Sequence, residues 1–116
     1  MMSGAPQLLF VYGSLKRGQA NHAQLGRAVF VAVARTLPHF ALRMIDGYPA
    51  LVPGRRAVWG ELYRIETYDL SDLDEFEGAA YRRRAIELEG GTDALAYLAV
   101  ASNAGDPHPA DEWPGR

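Results

Sequence analysis

Two stretches of this 116-residue chain carry groups that could do chemistry together. The first is Leu8 to Gly18, LLFVYGSLKRG, in which an apolar run enters a Gly-Ser turn. A strand that stops at glycine leaves several backbone N–H groups without ladder partners, and such a cluster can hold an anion or a developing oxyanion. The second is Tyr68 to Gly78. On a helical wheel at about 100° per residue, Leu70, Leu73 and Phe76 share one stripe, and Glu77 falls inside it, between Leu70 and Leu73. Asp72, Asp74 and Glu75 fall outside, as ordinary solvated acids. A carboxyl directed toward an apolar side has its pKa raised by desolvation, as a general acid or base requires. The alternative for Glu77 is a frayed helix end that reaches water or pairs with one of Arg82 to Arg84.

Glu61 is the rival acid, because on a period-two strand it shares a face with Trp59, Tyr63 and Ile65. Its alternative is a salt bridge with an arginine at a barrel rim. Glu75, Glu87 and Glu89 read as surface acids. Ser14 lacks the G-x-S-x-G surroundings of a nucleophile elbow, so a turn or ligand contact is the expectation. Tyr81 and Tyr97 either wall a pocket or fill the core. His22, His39 and His108 are too scattered for a metal set, and no metal is expected. The glycine turn beside Lys16 and Arg17 lacks the G-x-x-x-x-G-K-[ST] spacing of a phosphate loop, so these cations and Arg82 to Arg84 read as surface.

The elements that must position these groups are mostly strands. Leu8–Tyr12 is a continuous apolar run, expected to be a central strand covered on both faces. Val29–Leu37 and His39–Met44 follow, separated by Pro38, and Ala50–Val52 is a brief extended piece among turns. Ala57–Ile65 is the best strand of the middle, with Gly60 marking a bend or a close backbone approach. Tyr81–Glu89 and Ala94–Ala101 are joined by a Gly-Gly-Thr-Asp turn as a hairpin. Helices are expected at Asn21–Arg27, capped by Asn21, and at Tyr68–Gly78, with Ser71 capping and Gly78 ending it. Residues 1–7 read as a leader and residues 104–116, which hold three prolines before the final Gly-Arg, as an irregular tail. The expected class is α+β: a small mixed, largely antiparallel β-barrel in one domain, with one or two short flanking helices.

Composition narrows the partners. Twelve Lys and Arg against fourteen Asp and Glu, a formal charge of −2, provide no basic footprint for nucleic acid. With no cysteine there is neither a disulfide nor a thiolate metal site, which fits a cytoplasmic protein. No stretch approaches the ~20 apolar residues that span a bilayer, so no membrane is expected. A small-molecule ligand remains, and oligomeric state is not encoded in any pattern found.

The loop VYGSLKRG (Val11–Gly18), the strand VWGELY (Val58–Tyr63), and LDEFEG followed by YRR (Leu73–Gly78, Tyr81–Arg83) together resemble the gamma-glutamylcyclotransferase-like family, which includes the AIG2-like proteins. Where some relatives carry a proline before the tyrosine, this chain has Gly78-Ala79-Ala80-Tyr81, a difference that bears on the substrate subgroup. The resemblance implies a small mixed β-barrel with flanking helices and a cofactor-independent enzyme that cyclises a γ-glutamyl amide or amine to 5-oxoproline. It also implies that Tyr12, Gly13, Ser14 and Leu15 receive the glutamyl group and that Glu77 is the acid/base; Tyr81 is expected to wall the substrate pocket. The alternatives are a non-catalytic small-metabolite binding module and an interaction domain on the same fold. Residues 48–56 are expected to build the wall beyond the glutamyl group.

Overall fold

The computed structural model describes residues 5–103 and 105–114. Its strands are β1 (Gln7–Val11), β2 (Val29–Arg35), β3 (Phe40–Ile45), β4 (Tyr48–Pro53), β5 (Trp59–Ile65), β6 (Tyr81–Glu87), β7 (Asp93–Ala99) and β8 (Asp106–His108). One α-helix, α1 (Leu70–Glu77), follows a 3-10 turn at Thr67–Asp69. The class is α+β, and the eight strands form one curled sheet in the order β2-β5-β1-β7-β4-β3-β8, with β6 on β7. Its margins meet through one bridge, Thr36 to Leu88, supported by a bond from the Glu89 N–H to the Arg35 carbonyl at 2.9 Å. The result is a half-barrel held nearly closed at that end.

The strand that carries the glycine loop is central, as its unbroken apolar run requires. β1 pairs antiparallel with β5 on one side and parallel with β7 on the other. Alternate β1 residues enter different core clusters: Leu9 and Val11 pack with Leu70, Leu73 and Tyr97, while Phe10 packs with Leu42, Leu51 and Leu88. β7 forks the sheet. β6 pairs along its length from Asp93 to Ala99, while the opposite pairings are shared by β1 at Leu95 and β4 at Leu98. Gly60 is required for close packing: a Cβ there would overlap the Val11 carbonyl oxygen and lie 2.6 Å from Phe10 Cζ.

Several local expectations are corrected. The helix expected at Asn21–Arg27 is a single 3-10 turn, His22–Leu25, closed by Gly26 at φ 58°. Asn21 does not cap it; its side chain bonds Ser14 instead. Ser71 lies inside α1, where its hydroxyl donates back to the Tyr68 carbonyl at 3.4 Å, and so caps nothing. Phe76, expected on the buried stripe, is 41% exposed. The region read as turns around Ala50–Val52 is a full hairpin, β3 to β4, through Asp46-Gly47 with φ values of 51° and 84°. That is the positive-φ pair a two-residue Asp-Gly hairpin turn uses. The leader ends earlier than residue 7, because Gln7 opens β1, and residues 1–4 lie outside the described residues. The tail is not wholly irregular: β8 pairs with β3, and Pro107 is tolerated because β8 is an edge strand. Trp113 then packs against the core.

Candidate active site

The end of β1, the β3–β4 hairpin and the end of α1 surround a cavity of about 440 Å³, within the range of a small-molecule site. Gly13, Ser14 and Leu15 line it, as do Tyr12, Glu77 and Tyr81. All six candidate residues of the sequence therefore border one space. Glu61 does not border it.

The loop has a defined shape. The Lys16 N–H bonds the Gly13 carbonyl at 3.0 Å, and the Asn21 N–H bonds the Ser14 carbonyl at 2.9 Å. The Asn21 side-chain amide also donates to Ser14 Oγ at 2.9 Å. Glu61 fixes the exit, taking the Arg17 N–H at 2.9 Å and the Tyr63 hydroxyl at 3.0 Å on Oε1, with Arg17 Nε 3.4 Å from Oε2. The rim salt bridge foreseen as its alternative is thus present, and Glu61 shapes the loop from outside the cavity. Among the described residues, the N–H groups of Gly13, Ser14 and Leu15 have no acceptor within the chain. Lys16, expected at the surface, is buried with Nζ 3.9 Å from Glu112, and burial lowers its pKa.

Gly13 is where loop and hairpin touch. A Cβ there would lie 2.5 Å from Pro49 Cγ and 3.3 Å from Cδ, inside any tolerable contact with a stiff ring. Gly13→Ala is expected to push the loop off its position while leaving the fold assembled. A displacement of about 1 Å in a positioning element can cost roughly 100-fold in rate, and steady-state kinetics beside a circular-dichroism melt would separate that loss from unfolding.

Four tyrosines border the cavity, and three of them are committed elsewhere through their hydroxyls. Tyr12 is buried at the fork of the sheet, where its hydroxyl accepts from the Leu51 N–H of β4 at 3.0 Å and donates to the Tyr97 carbonyl of β7. Burial raises its pKa well above the ordinary value. Tyr81 donates to the Pro49 carbonyl at 3.2 Å; its pKa is pushed up to about 12, by burial first and then by the charges of Glu77 and Asp46. Tyr97 donates to Asp74 Oδ1 at 2.6 Å, and burial and this bond raise its pKa. Asp74 also pairs with Arg83 at 3.0 Å, which ties α1 to β6 one turn before Glu77.

Glu77 stands apart from this network. Among the described residues its carboxyl has no hydrogen-bond or ion-pair partner, and Arg83 is engaged by Asp74 instead. Burial alone pushes its pKa up to about 7. It follows Phe76 at the last position of α1, which Gly78 ends at φ 78°, its N–H bonded to the Asp74 carbonyl. A carboxyl that titrates near neutrality, in a cavity also lined by residues whose N–H groups are unpaired among the described residues, can carry a proton beside groups able to hold negative charge.

Sequence patterns missed Asn21, Asp46 and Asp74 as parts of the site; of residues 48–56, expected to build its far wall, Tyr48 and Pro49 border the cavity. The Asp46-Gly47 pair, recognised as a hairpin turn, would have brought the first residues of β4 to the cavity. Nothing in the wheel of α1 distinguishes Asp74 from its solvated neighbours. Among the described residues, no group of three or more His, Asp or Glu side chains is arranged to hold a metal ion, and no helix is long and apolar enough to cross a membrane.

The family model described as Gamma-glutamyl cyclotransferase, AIG2-like matches residues 9–115. Gamma-glutamylaminecyclotransferase A of Danio rerio is 35% identical over 114 residues, covering 85% of this chain and 71% of that protein. The gamma-glutamylcyclotransferase family protein YtfP of Escherichia coli (strain K12) is 34% identical over 86 residues, 72% of this chain and 75% of its own. Among solved structures, an AIG2-like protein from Mus musculus superposes with a TM-score of 0.74 at 30% identity, covering 84% of this chain and 79% of the other. The uropathogenic E. coli protein c4763 gives 0.76 at 27% identity, with 83% and 80% covered.

Proposed function

Since the chain belongs to the gamma-glutamylcyclotransferase, AIG2-like family, we propose that it cyclises the γ-glutamyl half of a small amide to 5-oxoproline and releases the free amine. The observation that carries this is the unpaired Glu77 carboxyl, raised to about 7 by burial, on the cavity that Gly13 to Leu15 also line.

The substrate's α-amino group has an ordinary pKa near ~7.7–8.0 and must lose a proton before it attacks. Glu77 takes that proton. The nitrogen then adds to the γ-carbonyl, closing a five-membered ring and placing negative charge on the carbonyl oxygen. Protonated Glu77 gives its proton to the departing nitrogen as the amide bond breaks; the second proton of the ring nitrogen passes through the same carboxyl to the released amine, which leaves as an ammonium ion, so the carboxyl ends as it began. A group with a pKa near neutrality performs both transfers without a large penalty in either direction. The N–H groups of Gly13 to Leu15 hold the α-carboxylate or the oxyanion, and losing one oxyanion donor costs about 3 kcal/mol of barrier. Nucleophile and electrophile belong to one molecule, so a cavity that keeps it folded over also recovers orientation energy. Tyr12, whose hydroxyl is spent on the sheet, contributes its ring to the wall.

A panel of γ-glutamyl amines, amino acids and alkyl amides, assayed for 5-oxoproline, tests the proposal. Glu61→Gln separates the two acids. Its amide oxygen still accepts from the Arg17 N–H and Tyr63, so activity is expected within about tenfold of the parent, the loss coming from a loosened loop. A drop as deep as that of a Glu77 variant would move the acid/base role to Glu61. Binding of these compounds without any product would favour the small-metabolite binding module.

A further inference from the structure

The tail that follows β7 returns to the glycine loop. β8 lies along β3, and the residues after it are pinned to the sheet before the chain reaches the loop. The Arg56 guanidinium donates to the Pro109 carbonyl, and the Trp59 N–H donates to the Asp111 carbonyl at 2.9 Å. Trp113 packs against the core cluster that contains Phe10 and Tyr12. His108 Nε2 lies 3.3 Å from the Glu112 carbonyl oxygen, which closes the segment on itself. Glu112 stands between the anchors at Asp111 and Trp113, and its Oε2 is 3.9 Å from Lys16 Nζ.

Lys16 is the most deeply buried charged residue among the described residues, 8% exposed. An ammonium group in such a place is costly unless an opposite charge meets it. Burial lowers its pKa, and Glu112 first, then Glu61, act against that shift. Lys16 does not border the cavity, so its contribution runs through the backbone. Its N–H closes on the Gly13 carbonyl at 3.0 Å, and its carbonyl accepts from the Gln19 N–H at 3.0 Å. Whatever fixes its side chain therefore fixes the turn that presents Gly13 to Leu15. Glu61 grips the next residue, Arg17, from β5. The exit of the loop is held between two carboxylates, one from the sheet and one from the tail.

We infer that Asp106–Trp113 is a strap that stations the glycine loop, and that Glu112 is the positioning residue through which it acts, by keeping Lys16 inside. Without the Glu112 charge, Lys16 is left with the weaker attraction of Glu61. Its long stem can then swing the ammonium toward water and draw the turn with it. None of the strap residues lines the cavity, so the strap serves every substrate alike. The strap stands on this geometry; its effect on turnover rests on the cyclotransferase reading.

Backbone amide hydrogen exchange on the full chain tests it without turnover. The Lys16 and Asn21 amides are bonded within the loop, to the carbonyls of Gly13 and Ser14; the Leu88 and Gly78 amides, bonded to the carbonyls of Thr92 and Asp74, serve as references. Glu112→Gln is expected to speed exchange of the two loop amides about tenfold and to leave the references unchanged, the signature of a local opening. Glu112→Asp keeps the charge on a stem one methylene shorter and is expected to limit the rise to about threefold at the same two amides. Should Glu112→Gln fail to fold, Glu112→Asp decides alone, by the presence or absence of that rise. In a parent that forms 5-oxoproline, Glu112→Gln is expected to lower kcat/KM about tenfold, by the same factor for each compound turned over. Unchanged loop exchange, an equal rise at all four amides, or an undiminished kcat/KM in an active background overturns the inference. A rise confined to the loop in a protein that forms no 5-oxoproline supports the strap and sinks the proposed reaction alone.

Discussion

Glu77→Gln is expected to reduce 5-oxoproline formation by roughly 100- to 10,000-fold, the usual contribution of a positioned acid/base, and at the same time to make the protein more stable above neutral pH. The activity loss follows because glutamine fills nearly the same volume but can neither take the proton of the α-ammonium group nor return one to the leaving nitrogen. In the parent, kcat/KM is expected to rise with pH through about 7 as Glu77 ionises; in the variant that limb disappears. The stability gain follows from the same burial. Folding raises the carboxyl from an ordinary 4.5 to about 7, so between those values the folded chain binds more protons than the unfolded one. Stability therefore falls as pH rises through this window and stays lowered above it. The full shift would correspond to about 3 kcal/mol, and partial access to water reduces the expected gain to about 1–2 kcal/mol. Urea melts of both proteins at pH 4 and pH 8 check it: the curves should converge at the lower pH and separate at the higher. Unchanged activity in Glu77→Gln would remove Glu77 from the chemistry. A variant less stable than the parent at pH 8 would mean that the carboxylate has a partner after all.

Tyr12→Phe is expected to cost about 2–4 kcal/mol of stability, a large loss for the removal of one oxygen atom. The hydroxyl accepts from the Leu51 N–H and donates to the Tyr97 carbonyl, so its loss leaves a buried backbone donor and a buried backbone acceptor without their shared partner. Each orphaned buried group costs roughly 1–3 kcal/mol. The phenylalanine ring would still fill the space, which keeps the packing loss small. Because β4 and β7 then separate where they border the cavity, activity is expected to fall as well. A denaturant midpoint shift without a change in slope would assign the loss to the folded state. A variant as stable as the parent would show that water enters the fork and satisfies both groups.

The parts of the molecule legible from sequence are those governed by one repeating period. The apolar run of β1 and the aromatic pattern of β5 announce buried strands, and the glycine within β5 announces its close approach to Val11. The wheel of α1 separates Glu77 from its acidic neighbours because burial follows a 3.6-residue period. It does less well with Phe76, since the helix ends one residue later and its last turn overhangs the cavity mouth. What escaped are the contacts between segments far apart in the chain. No local pattern tells that Asn21 turns to Ser14, that Tyr97 reaches Asp74, or that the Tyr12 hydroxyl mends the sheet. The three-residue β8 escaped for a different reason: an edge strand needs only one bonded side, so proline-rich sequence does not forbid it.

The fork at β7 also governs when the protein can acquire its site during synthesis. β1 lies between β5 and β7, and Leu9 meets Leu95 across almost the whole length of the chain. The glycine loop at the amino-terminal end thus lacks one flank until the ribosome has released the residues up to about 99. Joining such distant strands carries a large loop-closure entropy, which places folding toward the slower millisecond-to-second range of small domains. A nascent chain stalled before β7 would hold both Gly13 and Glu77 without the strand that brings Tyr97 to the cavity wall, so the cavity is complete only once β7 has emerged.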